Sequence, residues 1–162
     1  MIFSLQDTQD MIFLGEALQD KRGIGITSGT YDLLHYLHFV FLRKCKRQCD
    51  VLFVGIDSDR LVQENKGAER PIVPEDQRLQ MVNDLSFVDG VFVMDSTVDF
   101  LKAVGELHSD FIFKNDKFKP EEVIGRHLAK VVTIPDIRIP DSTTAIVEEC
   151  IRKRTLKTER QP

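Results

Sequence analysis

Short apolar runs alternate along the chain with stretches whose apolar residues recur at helical spacing. Ile24–Thr27 is one such run, ending at Ser28-Gly29. Val51–Ile56 (VLFVGI) is continuous, as suits a strand covered on both faces. Val88–Met94, Phe111–Lys114 and Lys130–Ile134 complete a set of five predicted strands. Between them the spacing predicts a helix over 37–48 (LHFVFLRKCKRQ) and a short helix capped by Asp57 or Ser58 and running to Glu64. A further helix is opened by Pro74 and runs to Leu85, with Glu75 and Asp76 favourable in its first turn. Val98–Leu107, a short helix at Pro120–Leu128, and a final helix Thr143–Lys153 capped by Ser142 complete the pattern. Leu5, Met11, Ile12, Leu14 and Leu18 carry a looser spacing that predicts an N-terminal helix over about 4–21.

Strands alternating with helices predict an α/β fold, a doubly wound five-stranded parallel sheet of Rossmann-like type. Ligands of such sheets sit outside the C-terminal ends of the strands, near the point where strand order reverses. That rule singles out four polar segments: Ser28–His38, Asp57–Arg70, Lys114–Phe118 and Arg138–Thr144. No repeat, low-complexity tract or linker divides the chain, which reads as a single domain over 1–162 with a basic tail at about 154–162.

Composition narrows the function classes. The chain is 42% hydrophobic and 30% charged, the balance of a globular protein rather than a disordered one. Its formal charge of −4 argues against a nucleic-acid coat or a polybasic membrane binder. No apolar run approaches the roughly 20 residues that span a bilayer. The start, Met1-Ile-Phe-Ser-Leu-Gln-Asp, lacks the basic start and cleavage site of a signal peptide. Three cysteines do not make a disulfide framework, so the expected compartment is reducing and cytoplasmic. Cys45 and Cys49 share a helix face but lack further ligands nearby in sequence, and read as buried thiols rather than a metal site. His108 and His127 belong to no motif and read as surface or packing residues.

The chemistry concentrates in Gly29-Thr30-Tyr31-Asp32-Leu33-Leu34-His35-Tyr36-Leu37-His38, between the first strand and the first long helix. His35 and His38 are three apart and share one face of a helix start. Free backbone N–H groups and the helix dipole favour an anion there, and two imidazoles beside them can donate to phosphate oxygens. Asp32 is placed to orient one imidazole or to help hold a metal. The bland alternative is one buried and one exposed histidine without a ligand.

This stretch resembles the signature Gly-(Thr/Cys)-Phe-Asp-x-x-His-x-Gly-His of the HxGH-type, cytidylyltransferase-like nucleotidyltransferases. The block from Lys66-Gly67 through Arg70-Pro71 to Gln77-Arg78 is similar to one in the ADP-heptose synthase adenylyltransferase domain, as is Lys119-Pro120-Glu121-Glu122. Ser142-Thr143-Thr144 resembles the Ser-Thr-Thr that opens the last helix there and in glycerol-3-phosphate cytidylyltransferase. The resemblance runs over roughly residues 5–153, with several motifs in order. It implies a nucleoside triphosphate (NTP), ATP favoured over CTP, attacked at its α-phosphorus by a phosphorylated sugar or alditol, with pyrophosphate leaving. It implies His35, His38, Lys66 and Arg78 as catalytic groups. It implies nucleotide contacts at Gly29, Thr30, Tyr31, Asp32, Asn115, Asp116, Ser142, Thr143 and Thr144 besides the two histidines. It further implies magnesium or another divalent cation with the NTP, no resident metal, and a homodimer.

Two departures stand out. The glycine of the signature is Leu37, which places an isobutyl group where a residue without Cβ lets a nucleotide lie close. Asn115 and Lys117 stand where relatives carry a glycine and an acidic residue, the second a reversal of charge. These motivate an alternative expectation, a nucleotide- or partner-binding pseudoenzyme. A flavodoxin-like carrier shares the fold class but gives no reason for two histidines at that helix start.

Overall fold

A computed structural model describes residues 22–136 and 143–158; side chains are described over 22–136 and 146–154. The expected N-terminal helix over about 4–21, Arg138, Ser142 and the end of the tail lie outside these residues.

Five parallel strands form one sheet: β1 (Ile24–Gly29), β2 (Val51–Asp57), β3 (Gly90–Met94), β4 (Phe111–Asn115) and β5 (Lys130–Ile134), in the spatial order β3-β2-β1-β4-β5. The order reverses between β1 and β4, paired through Gly25 with Phe111 and Ile26 with Ile112. Helices α1 (Tyr36–Lys46), α2 (Asp59–Lys66), α3 (Glu75–Asn83), α4 (Thr97–Glu106) and α5 (Thr143–Thr158) alternate with the strands, α2 and α3 both falling between β2 and β3.

Strand alternation divides the core between the two faces of the sheet. Val51 and Phe53 of β2 join Ile26, Phe92 and Ile112 against Phe100, Ala103 and Val104 of α4. Leu52, Val54 and Ile56 point the other way, to Leu42 and Cys45 of α1 and Val82 of α3. Cys45 and Cys49 are buried free thiols, as the burial habit of cysteine implies. The sheet passes close beneath α1 because Gly25 has no side chain: a Cβ there would stand 2.3 Å from the Phe113 ring and 2.8 Å from Cys49 Sγ.

Several predicted boundaries move. Ser58, not Asp57, caps α2, its hydroxyl accepting the Leu61 N–H at 3.2 Å. Pro74 is the cap residue of α3 rather than its first helical residue, with ψ at 152°. The expected helix at Pro120–Leu128 is only a single 3-10 turn, Pro120–Glu122. Val123 leaves the helical region, with ψ at 125°, and Gly125 then turns the chain at a φ of 86°, where a Cβ would come 3.0 Å from Ile112. The final helix runs past the predicted Lys153 to Thr158. No helix among the described residues is long and apolar enough to cross a membrane.

Candidate active site at the strand switch point

A cleft of about 590 Å³ opens at the carboxyl ends of β1 and β4, where the strand order reverses. β1 delivers Ser28 and Gly29 to it, β2 delivers Asp57, and β4 delivers Lys114 and Asn115. The start of α1 supplies His35, Leu37 and His38, and the end of α2 supplies Lys66.

The turn from β1 into α1 is sharp. Tyr31 and Leu33 take φ values of 51° and 48°, a region that side-chain-bearing residues seldom adopt. The turn folds the Tyr31 ring back over Gly29, where a Cβ would stand 3.1 Å from it. Burial pushes the Tyr31 phenol well up, with Cys45 and Asp57 adding to the effect and a hydrogen bond to Thr27 opposing it. Tyr31 is therefore a neutral wall of the cleft.

His35 is the cap residue of α1, in extended conformation, and the first turn holds no acidic residue. The His38 N–H donates to the His35 carbonyl at 3.0 Å, and no carboxylate offsets the positive end of the dipole in that turn. The His35 and His38 rings lie with centroids 4.0 Å apart. The backbone N–H of His35 donates to His38 Nδ1 at 3.3 Å, so in the neutral ring the proton resides on Nε2. Burial, then the neighbouring His35 and Lys66, push His38 down to about 4. His38 is therefore a neutral N–H donor at physiological pH.

Thr30 links the two sides of the site. Its hydroxyl donates to Asp57 Oδ2 at 2.8 Å and accepts from Lys66 Nζ at 2.9 Å. Burial and the nearby Arg70 lower the Lys66 pKa, against Asp57 and Asp32.

Two expected site residues have other duties. Arg78, expected among the phosphate-handling cations, is fully buried and does not line the cleft. Its Nε donates to the Val73 carbonyl at 2.8 Å, Nη1 to the Thr30 carbonyl, and Nη2 to Asp59 Oδ1 at 2.7 Å. It is a brace joining the β1–α1 turn, the start of α2 and the loop before α3. Asp32 is 2% exposed and faces that same loop rather than a metal. It accepts from the N–H of Ile72 at 3.1 Å and of Val73 at 3.0 Å, and from Arg70 Nε at 2.8 Å. Burial would raise its pKa, but the Val73 and Ile72 N–H groups and Arg70 outweigh it and hold the carboxyl below its ordinary value.

Asn115 lines the cleft and its side chain accepts the Lys117 N–H at 3.3 Å. Asp116 is exposed and outside the lining; its carboxylate accepts the Asp136 N–H at 3.3 Å. Lys117 pairs with Asp136 at 3.4 Å across the rim. Leu37 lines the cleft together with both histidines. Thr143 and Thr144 open α5, and their side chains, like Ser142, lie outside the description. Asp57, Arg70 and Lys114 were not singled out as site residues. Their signal was position: Asp57 and Lys114 end predicted strands or directly follow them.

Among the described residues, no group of three or more His, Cys, Asp or Glu side chains is placed to hold a metal ion. The one carboxylate at the Thr30 side of the cleft, Asp57, is engaged by that hydroxyl.

A family model described as cytidylyltransferase-like matches residues 26–149. The Bifunctional protein HldE of a Nitratiruptor species is 36% identical over 148 residues, which cover 89% of this chain and 31% of HldE. The protein of the same name from Helicobacter pylori is 37% identical over 133 residues, covering 82% and 29%. The chain thus spans about a third of the length of the curated relatives it matches. The lipopolysaccharide core biosynthesis protein of Thermoplasma volcanium superposes with a TM-score of 0.59 at 26% identity, covering 72% of this chain and 97% of that one. Pantoate-beta-alanine ligase from Francisella tularensis, solved with beta-gamma ATP and beta-alanine, gives a TM-score of 0.54 over 86% of this chain and 68% of its own, at 15% identity, a likeness of fold.

Proposed function

Because the chain belongs to the cytidylyltransferase-like family, we propose that it is a nucleotidyltransferase that joins an NTP to a phosphorylated sugar or alditol. The observation that carries this reading is the Nε2–H donor of His38 in the first turn of α1, at the strand switch point.

In this proposal an oxygen of the acceptor phosphate attacks the α-phosphorus in line. A new P–O bond forms, the bond to the β-phosphate oxygen breaks, and pyrophosphate departs with that electron pair. No covalent enzyme intermediate is needed, so the protein works by positioning and by donors aimed at the developing charge. His38 and the N–H groups of α1 supply those donors, with His35 packed against the His38 ring. Lys66, held by Thr30, brings a cation to the same side. Gly29 and Tyr31 shape the floor, and Asn115 lies at the far strand end. Arg78 and Asp32 act as positioning residues for the turn and the Arg70–Val73 loop. Ser142, Thr143 and Thr144 are assigned the pyrophosphate end of the triphosphate, on the resemblance. Magnesium or another divalent cation would enter with the NTP and would supply charge screening there. ATP is favoured over CTP on the likeness of the Lys66–Arg78 block to the adenylyltransferase domain. A cytoplasmic homodimer belongs to the same proposal, and light scattering in solution tests the dimer.

The test is pyrophosphate release with ATP or CTP, magnesium and a panel of sugar phosphates. Release with one NTP and one acceptor class supports the reading. NTP binding by calorimetry without release across the panel overturns it. Leu37 favours a second reading, a nucleotide- or partner-binding protein without turnover, because it lines the cleft with His35 and His38 where relatives carry a glycine. Binding without turnover is the result expected of that reading.

A further inference from the structure

The cleft holds a second deep cation that the steps above do not use. Lys114, near the end of β4, is half-buried and donates to Ser28 Oγ at 2.8 Å. Its Nζ lies 4.9 Å from the centroid of the Phe100 ring and 5.4 Å from that of Phe118. An ammonium carries three donors, and one hydroxyl with two ring faces leaves that capacity underused. Among the described residues no carboxylate stands within ion-pair distance of it. Burial lowers the Lys114 pKa, and Asp57 acts against that from farther off. A desolvated cation without a carboxylate partner is costly to keep, and an anion from solution repays that cost.

Lys66 and Lys114 are held by the two residues that flank Gly29 in sequence, Thr30 and Ser28. Lys66 is held on Thr30 Oγ1, on the side where its charge reaches His38. Lys114 is held on Ser28 Oγ, and Asp57 is the charge that reaches it. Transfer between an NTP and a phosphorylated acceptor brings two anions into one cleft, and their mutual repulsion calls for a cation at each. The helix start, the histidines and Lys66 suit the triphosphate. The Phe118 ring, 53% exposed beside Lys114, offers an apolar face to the carbon skeleton of a sugar.

We propose that Lys114 binds the phosphate of the acceptor, with Phe118 as the apolar lip beside it. This rests on reading the cleft as a nucleotidyl-transfer site. The test titrates inorganic phosphate calorimetrically into the protein, alone and saturated with α,β-methylene-ATP and magnesium. Lys114→Gln keeps a donor for Ser28 and removes the charge; Lys114→Arg keeps the charge. Lys114→Met, whose chain still fits between the rings, is the second uncharged variant should circular dichroism show that Lys114→Gln does not fold. The expected result is phosphate binding weakened at least about tenfold in the uncharged variant and within about threefold in Lys114→Arg, with nucleotide affinity within about twofold throughout. Unchanged phosphate affinity in the uncharged variant, no phosphate binding by the parent protein, or a loss of nucleotide affinity instead, each overturns the assignment. Failure of the parent protein to bind the nucleotide analogue overturns the nucleotidyltransferase reading instead, while the titration without nucleotide still decides whether Lys114 holds a phosphate.

Discussion

The backbone N–H of His35 donates to the Nδ1 atom of His38, three residues further along the start of α1, at 3.3 Å. That bond fixes the tautomer: Nδ1 accepts, and Nε2 carries the proton, on a ring that lines the cleft. The donor exists before any ligand arrives, and burial keeps the ring neutral.

Replacing His38 by Ala removes one preorganised donor, so turnover falls by about 10²–10³-fold with little change in folding. Steady-state pyrophosphate release checks this, and unchanged turnover would remove His38 from the proposed chemistry.

The same ring predicts a pH dependence of stability. His38 is pushed down to about 4 from its ordinary 6.5, so the unfolded chain takes up its proton first as pH falls. The stability from the neutral ring is complete above about pH 6.5 and is lost on descending towards pH 4. Denaturant titrations across that window are expected to show a shallower decline in His38→Gln than in the parent protein.

Arg78 is fully buried with three acceptors from three segments, so Arg78→Met leaves Asp59 and two carbonyls without their donor. Breaking a buried ion pair by removing one partner costs about 3–5 kcal/mol. The exposure of Asp59 places the expected loss at the lower end of that range. Lys does not restore it, since one ammonium cannot reproduce the guanidinium fork. Chemical denaturation reads the effect directly.

Asp32→Asn keeps the size of the side chain and removes the charge that Arg70 and two backbone N–H groups share. It lowers stability at neutral pH by about 1–3 kcal/mol. The sign is set by the depressed carboxyl: its contribution is present above the ordinary carboxylate range and is lost as pH falls through the lower, folded value. Parent and variant therefore converge in acid, and a thermal melt series in pH reports whether they do.

Leu37→Gly opens the cleft beside the histidines and tightens NTP binding by about tenfold if the isobutyl group stands in nucleotide space. Calorimetry decides it; an unchanged dissociation constant means that the nucleotide passes elsewhere. The helix is expected to lose about 1 kcal/mol in stability from the glycine.

Much of this architecture was readable beforehand, and the reasons are local. Val51–Ile56 is apolar on both faces because both faces are covered, and Lys130–Ile134 came out with its bounds unchanged. The site at the strand ends followed from the order of elements. What eluded the sequence is long-range. Arg78 looks like any cation in a basic block until the fold brings it to the Thr30 carbonyl, 48 positions away. Asp32 reads as a site carboxylate until the chain returns at Ile72 and Val73 to occupy it. The turn at Gly125 depended on its backbone angle, which helical spacing around Pro120–Leu128 does not report.

Thr30 is held at both ends, its carbonyl by Arg78 and its hydroxyl by Asp57 and Lys66. One residue therefore transmits lesions from the interior to the cleft. In a genetic screen for inactive alleles, Arg78 and His38 would score alike, one by depleting the protein and the other by silencing it. Steady-state abundance of each allele, rather than its phenotype, sorts the two.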